Sequence, residues 1–394
     1  MMSLAEIIFW LGIALVVYTY VGYGLVLFIL IKIRQTIFGK RQPPQPESWP
    51  TVTVLVAAYN EENDIRQKVQ NSLDLDYPKD RIKLLFVTDG SSDRTPEIVA
   101  EYADITLLHS TERKGKMAAV ARAMQQVNSQ VVIYTDANTM LNTEAAKNIA
   151  RHFIDEKVGA VAGEKQVLSE GADSAAGSGE GFYWKYENTL KRWDSELYSV
   201  VGAAGELFAI RTELFEHVPP NTIIEDFYMT LRIAQKGYRV VYEPEAIAQE
   251  LPSADTGEEL KRKVRIAAGG LQAISRLTPL LNIFKYGRLS FQYISHRVLR
   301  WTITPLSLLV IFALNIHLAL QGSEFYQLIL VAQIGFYALA FIGYLLEKRK
   351  LKVKAFFVPY YFVMMNYAVF AGFFRIIKGS QSAVWERSKR QVTA

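Results

Sequence analysis

The 394-residue sequence contains no cysteine. This absence excludes disulfide bonds, cysteine-ligated zinc and thiol catalysis. The sequence also lacks a basic patch away from its apolar runs, so its net charge of +5 indicates contact with a membrane surface and no binding of nucleic acid. Half of the residues are hydrophobic and 21% are charged. This balance predicts a mixed protein, with a polar domain and membrane segments in one chain.

The first long apolar run covers residues 4–31 and carries Glu6 as its only charge. It is long enough for one membrane crossing, which needs about 20 residues. It lacks the basic start, short apolar core and small-residue cleavage site of a signal peptide. We therefore expect residues 1–31 to form a retained transmembrane anchor. Lys32 and Arg34 follow it, which places the next residues in the cytosol, and residues 32–50 form a basic, proline-rich linker.

Residues 51–283 alternate between short β-branched runs and helical patterns, which predicts an α/β domain with a mostly parallel sheet. Ligands of such sheets bind beyond the carboxyl ends of the strands. Three predicted strand ends carry polar residues: Asn60 with Glu61, the loop that begins at Asp89, and Asp136 with Asn138. Each of these could be an ordinary loop or turn. Their shared position at one sheet edge favours a binding site instead.

The chain between residues 223 and 244 sets the acidic pair Glu225 and Asp226 at the head of a helical pattern that ends at Gly237. The helix dipole stabilises a carboxylate at this end of a helix. Such a group suits a general base. The alternative is that the pair only caps the helix.

Six segments carry a resemblance to a known family: AAYNEE, VTDGSSD, RKGKMAA, YTDANT, GAAGELFAIR and IEDFYMTLRIAQKGYRV, in this order. Together they resemble the family 2 glycosyltransferases, in particular the membrane-embedded processive enzymes that make cellulose, chitin, hyaluronan and poly-N-acetylglucosamine. The resemblance extends from about residue 51 to residue 265. It implies a GT-A fold, a cytosolic active site and a nucleotide-sugar donor, with UDP-linked sugars expected.

The resemblance also implies roles for four donor-binding residues. It assigns Tyr59 and Glu61 to the nucleoside pocket, Asp89 to the base, and Lys116 to the neighbourhood of the donor. Each of these matches the family only through the short segment in which it lies.

The resemblance also implies which residues hold the metal and the diphosphate and which residue is the catalytic base. Asp136 would hold the metal and the donor diphosphate, and Asn138 stands where the family commonly has a second aspartate. A carboxylate and an amide oxygen suit a hard cation, so the implied cofactor is Mg2+ or Mn2+. Asp226 matches the catalytic base, and Glu225 precedes it. A single displacement with this base would invert the configuration at the anomeric carbon of the donor sugar.

The acceptor side resembles the family less closely. Gly202 and Gly205 resemble the floor on which an acceptor sugar lies, and Trp184 is a candidate for stacking on a sugar, with core packing as the alternative. Arg262 and Arg265 keep the spacing of the family's Q-x-x-R-W element without its Gln and Trp. The guanidinium of Arg265 suits a phosphate. The alternative is that these basic residues face anionic lipid.

The C-terminal part of the sequence predicts membrane contact. Residues 284–301 mix basic and aromatic side chains, as an interfacial amphipathic helix does, and residues 302–377 contain three apolar runs that predict transmembrane segments. A basic tail follows at residues 378–394. Since residues 347–354 are basic too, either the last apolar run is re-entrant or the charge rule is broken there.

The function expected from the sequence is an inverting glycosyltransferase that elongates a β-linked polysaccharide at a bacterial inner membrane. The alternative is a non-processive enzyme that adds one sugar to a lipid-linked acceptor. A third hypothesis is a membrane-anchored nucleotide-binding regulator without turnover. The expected partners are a nucleotide-sugar donor, a glycan or lipid-linked acceptor and membrane lipid, with an export or accessory subunit as a further candidate.

Overall fold

The computed structural model describes residues 2–39, 42–168, 175–349 and 354–379. Within them, eight strands form one sheet in the order β3-β2-β1-β4-β7-β6-β8-β5. The strands are β1 Val52–Ala58, β2 Ile82–Asp89, β3 Ile105–Ser110, β4 Val131–Asp136, β5 Met140–Leu141, β6 Val158–Val167, β7 Leu207–Arg211 and β8 Arg239–Glu250.

The sheet has a parallel half and a mixed half. Strands β3, β2, β1 and β4 are parallel neighbours, and β6 pairs with β8 in parallel. Strand β7 runs antiparallel between β4 and β6, and the short β5 runs antiparallel to β8. All seven residues of β1 are buried, as expected of a parallel strand covered on both faces. The predicted α/β domain with a mostly parallel sheet is confirmed.

The helices that cover the sheet and extend from it begin with α1, which runs over Leu4–Phe38 and contains a π turn at Tyr18–Gly22. The others are α2 Ile65–Leu73, α3 Thr95–Ala100, α4 Lys116–Met124, α5 Ala145–Ala150, α6 Ala175–Leu197, α7 Glu225–Gln235, α8 Thr256–Arg276, α9 Ile283–Tyr286, α10 Arg288–Tyr293, α11 Leu299–Trp301, α12 Ile303–Leu320, α13 Glu324–Lys348 and α14 Lys354–Ile377.

Two apolar cores lie on the two faces of the sheet. Side chains of β1 alternate between them: Leu55 and Ala57 pack with α4 and α7, while Val54 and Val56 pack with α2 and α5. Because both faces are covered by helices, polar groups concentrate at the carboxyl edge of the parallel strands.

Four helices among the described residues are long and apolar enough to span a membrane: Leu4–Phe38, Ile303–Leu320, Glu324–Lys348 and Ala355–Ile377. The first continues past the apolar run and ends before Gly39, whose φ of 73° is unfavourable for other residues. Helix α14 approaches α8 through a glycine. A Cβ on Gly372 would lie 2.8 Å from the backbone nitrogen of Ala268, so the two helix backbones touch.

The segment from residue 284 to residue 301 differs from the single surface helix that its composition predicts. It is divided into α9, α10, a π turn at Ile294–Val298 and α11, and Gly287, with φ 51°, separates the first two. Arg297 and Arg300 are buried inside the protein. Both form ion pairs with Glu187 of α6, so these charges do not face the membrane surface.

Candidate functional site

A cavity of about 800 Å³ lies where the carboxyl edge of the sheet meets α6, α7, α8 and α14. Its lining includes titratable groups from several elements, among them Asp136, Glu206, Glu225 and Asp226. It also includes Tyr20 of α1 and a row of side chains from α14: Phe357, Val358, Tyr361, Phe362, Met365, Asn366, Ala368 and Val369. The cavity therefore connects an ionic cluster with two helices that are candidates for membrane spans.

Lys116 of α4 links β4 and α7 within the ionic cluster. Its ammonium lies 2.8 Å from Oδ1 of Asp136, the last residue of β4, and 2.9 Å from Oε1 of Glu225, the first residue of α7. Burial lowers the pKa of Lys116, but these two carboxylates together raise it above its usual value. The charged lysine thus holds the two predicted acidic sites close together.

The adjacent carboxyls of α7 differ in their electrostatic environments. Burial and the charge of Glu225 raise the pKa of Asp226 to about 7. Burial also disfavours the charged form of Glu225, but the Lys116 ammonium outweighs this effect and lowers the pKa of Glu225. Since neighbouring carboxyls titrate as a pair, the first proton to leave comes mainly from Glu225 and the second from Asp226. Asp226 is therefore poised to exchange a proton near neutral pH.

Asp89 anchors the loop before α4. Its Oδ2 accepts hydrogen bonds from the backbone N–H groups of Lys114 at 2.8 Å and Gly115 at 2.6 Å. Its Oδ1 is buried without a hydrogen-bond partner and lies 3.8 Å from a nitrogen of Arg122. One oxygen thus fixes the backbone that presents Lys116, while the other is available to a ligand.

Tyr59 and Arg113 form a small pocket with Asp89. The Arg113 guanidinium lies 3.9 Å from the centre of the Tyr59 ring, and the space beside them measures about 20 Å³. Glu61 is fully buried, and its backbone N–H donates to Oγ1 of Thr95 at 2.8 Å. Tyr59 and Asp89 therefore share a small pocket with Lys116, whereas Glu61 does not line it.

Asp136 and Asn138 both line the large cavity. No group of three or more histidines, aspartates and glutamates in the described ranges is arranged to hold a metal ion. Asp136 and Asn138 bring one carboxylate and one amide to the cavity wall, a donor set that fits a hard divalent cation if water and phosphate oxygens complete it. Asp136 already stabilises a positive charge, the Lys116 ammonium, which agrees with this fit.

Two glycines shape the floor beside Asp226. A Cβ on Gly205 would lie 3.4 Å from Oδ2 of Asp226 and 3.8 Å from Nζ of Lys116, so this glycine leaves the face of the carboxylate open. Gly202 has φ 84°, and a Cβ there would overlap the ring of Phe227. Gly202 therefore allows the chain to pass close under the first turn of α7.

We expect Gly202→Ala to lower both stability and activity. A left-handed conformation costs a non-glycine residue about 1–2 kcal/mol, and the new methyl group would displace Phe227, the neighbour of Asp226. A displacement of about 1 Å at a catalytic group can cost about 10²-fold in rate. The melting temperature of the purified protein and the rate of the sugar transfer that the sequence predicts measure the two effects.

Gly335→Ala is the matched control for this prediction, because Gly335 lies in α13 with nothing near its hypothetical Cβ and without a positive φ. Equal melting temperatures for Gly202→Ala and Gly335→Ala would contradict the expected backbone strain.

Trp184 lies in the cavity wall and is 8% exposed. Its ring has four cations within 6 Å of its centre: Lys165, Lys191, Arg262 and Lys263. Its indole Nε1 is buried without a hydrogen-bond partner. Trp184 is thus neither a simple core residue nor an open stacking platform.

The two predicted phosphate-binding arginines have different surroundings. Arg262 lies 3.4 Å from Glu206 and 3.6 Å from Glu250, in a buried group of ion pairs. Arg265 donates to the backbone carbonyl of Ile223 at 3.3 Å, just before α7, and its Nε is buried without a partner. Arg265 is therefore the better placed of the two to bind an anion near Glu225.

The sequence analysis missed several cavity residues, among them Glu187, Lys191 and Glu206. Glu187 holds Arg297 and Arg300, and it contacts His296 at 3.4 Å. The basic and aromatic composition of residues 284–301 was visible in the sequence, but its acidic partner lies 110 residues before Arg297. Composition alone could not distinguish a buried ion cluster from a membrane-facing helix.

Comparisons with known proteins agree with this architecture. Residues 53–218 match the family model described as glycosyl transferase family 2. The probable glycosyltransferase YdaM of Bacillus subtilis (strain 168) is 28% identical over 254 residues, which are 61% of this chain and 59% of that protein. The poly-beta-1,6-N-acetyl-D-glucosamine synthase of Staphylococcus aureus (strain MSSA476) is 28% identical over 233 residues, 57% of this chain and 56% of that protein. The chain thus matches a little over half the length of these relatives.

One solved structure is similar over almost the whole chain. The mannosyltransferase PcManGT from Pyrobaculum calidifontis, in complex with GDP-Man and Mn2+, covers 95% of this chain and 100% of its own, with a TM-score of 0.71 and 23% sequence identity. This similarity confirms the predicted GT-A fold together with the helices that flank it.

Proposed function

Because the chain carries a glycosyl transferase family 2 domain, we propose that it is an inverting enzyme, which transfers a sugar from a nucleotide-sugar donor to an acceptor hydroxyl in the large cavity. The observation that carries this proposal is the pair at the start of α7. Glu225 is ionised against Lys116, and Asp226, with a pKa of about 7, is free to accept a proton near neutral pH. A nucleotide-binding regulator without turnover would not need this arrangement.

In the proposed reaction, Asp226 accepts the proton of the acceptor hydroxyl. The hydroxyl oxygen then forms a bond to the anomeric carbon, on the side opposite the nucleotide diphosphate. The bond from this carbon to the diphosphate oxygen breaks, and the nucleotide diphosphate leaves with the electron pair. An α-linked donor sugar becomes β-linked in this single displacement. Gly205 supports the proposal, since it leaves room beside the Asp226 carboxylate.

Asp136 and Asn138 are the residues that would hold Mg2+ or Mn2+. A bound cation there would neutralise negative charge on the departing diphosphate. Lys116 adds a positive charge at the same place, and Arg265 adds another near the start of α7. Tyr59, Glu61 and Asp89 are the proposed nucleoside pocket.

The proposed acceptor is a growing β-linked polysaccharide, which the similarity to the poly-beta-1,6-N-acetyl-D-glucosamine synthase supports. A second candidate is the transfer of a single sugar to a lipid-linked acceptor. The apolar side chains of α14 that line the cavity favour this candidate, because they suit an acceptor with an apolar part. The proposed location is the bacterial inner membrane with the catalytic domain in the cytosol, and the four long apolar helices support the membrane part of this proposal.

The test is release of nucleotide by the full-length protein in detergent. UDP-glucose, UDP-N-acetylglucosamine, UDP-glucuronate and GDP-mannose are offered with Mg2+ or Mn2+ and membrane lipid extract, with and without chelator. Metal-dependent release from one donor would support the enzyme, and the size of the product separates a polymer from a single transfer. Failure of every donor to bind would overturn the proposed function.

A further inference from the structure

The four cations around Trp184 are not equivalent. Lys165 forms ion pairs with Glu206 and Glu250, and Arg262 lies near the same two carboxylates. Lys263 lies 3.2 Å from Glu259. In contrast, Lys191 makes no hydrogen bond or ion pair within the described parts of the chain. Its ammonium lies 5.5 Å from the centre of the Trp184 ring.

Lys191 is nonetheless deeply placed. It is 3% exposed, it lines the cavity, and burial lowers its pKa. The charges that act on it are those of Glu187, Arg297, Glu206 and Asp226. Lys191 is therefore close enough to feel both the ion cluster around Glu187 and the proposed catalytic base.

Two further donors in the same cavity lack partners. Nε1 of Trp184 and Nε of Arg300 are buried and have no hydrogen-bond acceptor, and both residues line the cavity. A buried donor without an acceptor costs about 1–3 kcal/mol, and a buried unpaired charge costs more. An anionic ligand in this cavity that accepts hydrogen bonds from Lys191, from Trp184 and from Nε of Arg300 would remove these costs.

The other lining side chains show what else this ligand must contain. Tyr361, Phe362 and Met365 of α14 line the same cavity, and so does Tyr20 of α1, which donates a 2.9 Å hydrogen bond to Asn366. An inorganic anion would leave these side chains without contact. A molecule with an anionic group beside an apolar chain would contact both the donors and the side chains of α14.

We propose that Lys191, Trp184 and Arg300 bind the phosphate group of an amphiphilic acceptor, whose apolar chain lies along α14 and whose hydroxyl-bearing sugar reaches Asp226. This inference rests on the proposed function and specifies its acceptor. The phosphate is a fixed part of the acceptor and takes no part in bond formation. The donor diphosphate has its own cations, at Lys116 and Arg265.

Binding of three probes to the full-length protein in a neutral detergent tests the proposal. Dodecyl phosphate carries both features, inorganic phosphate carries only the anion, and dodecanol carries only the chain. We expect dodecyl phosphate to bind at least about 10-fold more tightly than either of the others. Lys191→Met should weaken this binding by about 10- to 100-fold, the range for a charge-assisted hydrogen bond. Trp184→Phe, which removes the indole donor and keeps an aromatic ring, should weaken it less.

Arg192→Gln is the matched control, because Arg192 is the next residue of α6 and is exposed. The affinity for nucleotide diphosphate is measured in the same preparations and should be equal in wild type and Lys191→Met. A loss of nucleotide affinity in Lys191→Met would assign the site to the donor and overturn the proposal. Equal binding of dodecyl phosphate to wild type and Lys191→Met would overturn it too, as would equal binding of inorganic phosphate and dodecyl phosphate to wild type.

These measurements test the anionic acceptor site and the glycosyltransferase activity separately. Lysine-dependent binding of dodecyl phosphate, together with no binding of any nucleotide sugar, would retain the anionic site and overturn the glycosyltransferase. Donor turnover without lysine-dependent binding of dodecyl phosphate would do the reverse.

Discussion

Asp226→Asn is expected to slow sugar transfer by at least about 10²-fold, the usual contribution of a general base, without weakening nucleotide binding. Asparagine keeps the size of the side chain but cannot accept the proton of the acceptor hydroxyl. Glu225 cannot replace it, because Lys116 holds Glu225 in its ionised form with a lowered pKa, and a weaker base gains less from taking the proton. Initial rates of nucleotide release at saturating donor measure the effect.

The same assignment fixes the direction of the pH dependence. The active form of Asp226 is ionised, and its pKa is raised to about 7, so the rate should fall as the pH is lowered through about 7. An aspartate with an ordinary pKa would keep the rate constant down to about pH 4. The rate of the Asp226→Asn variant should no longer fall as the pH is lowered through about 7. Asp104→Asn, at an exposed aspartate, is the control for the substitution itself.

A wild-type rate for Asp226→Asn would show that another group takes the proton. Weakened nucleotide binding in this variant would place Asp226 at the donor and would equally contradict its role as base.

Glu187→Ala is expected to destabilise the protein by about 3–5 kcal/mol, the cost of removing one partner from a buried ion cluster. Glu187 accepts hydrogen bonds from Arg297 and, at 3.1 Å, from Arg300, and both arginines would then be buried without a carboxylate beside them. Burial disfavours the charge on Glu187, but the arginines outweigh it and hold the pKa of this carboxyl well below its usual value. Its negative charge is therefore present at every ordinary pH.

Denaturant unfolding of the detergent-solubilised protein, followed by circular dichroism, measures this loss. Glu213→Ala removes an exposed glutamate and should change the unfolding free energy little. Glu187→Gln should cost less than Glu187→Ala, since the amide oxygen still accepts a hydrogen bond. Equal unfolding midpoints for Glu187→Ala and Glu213→Ala would show that the arginines find other acceptors.

The parts of the fold that follow from local sequence were predictable. The β-branched run of β1 and the polar residues after β1, β2 and β4 indicated the sheet and its ligand edge, because strand burial and turn formation depend on neighbouring residues. The antiparallel direction of β7 was not predictable, since LFAIR has the same composition in either direction. It depends on where the chain returns after α6.

Contacts between distant parts of the chain limited what could be predicted of the site. The resemblance placed Lys116 near the donor, but it gave no indication that Lys116 connects Asp136 with Glu225, which is 109 residues further along the chain. Lys191 carries no motif at all. It is notable only because its neighbours around Trp184 already have carboxylate partners, and the structure alone shows this.

The backbone contact between Gly372 of α14 and Ala268 of α8 fixes the position of one helix relative to the other. Two helices that touch through their backbones cannot slide past each other as side chains rearrange. With α14 as a membrane span, the depth of this helix in the bilayer then sets the height of α8, and with it the height of the cavity, above the lipid surface. A shift of α14 along its axis would therefore also move Arg262 and Arg265 of α8, which line the cavity.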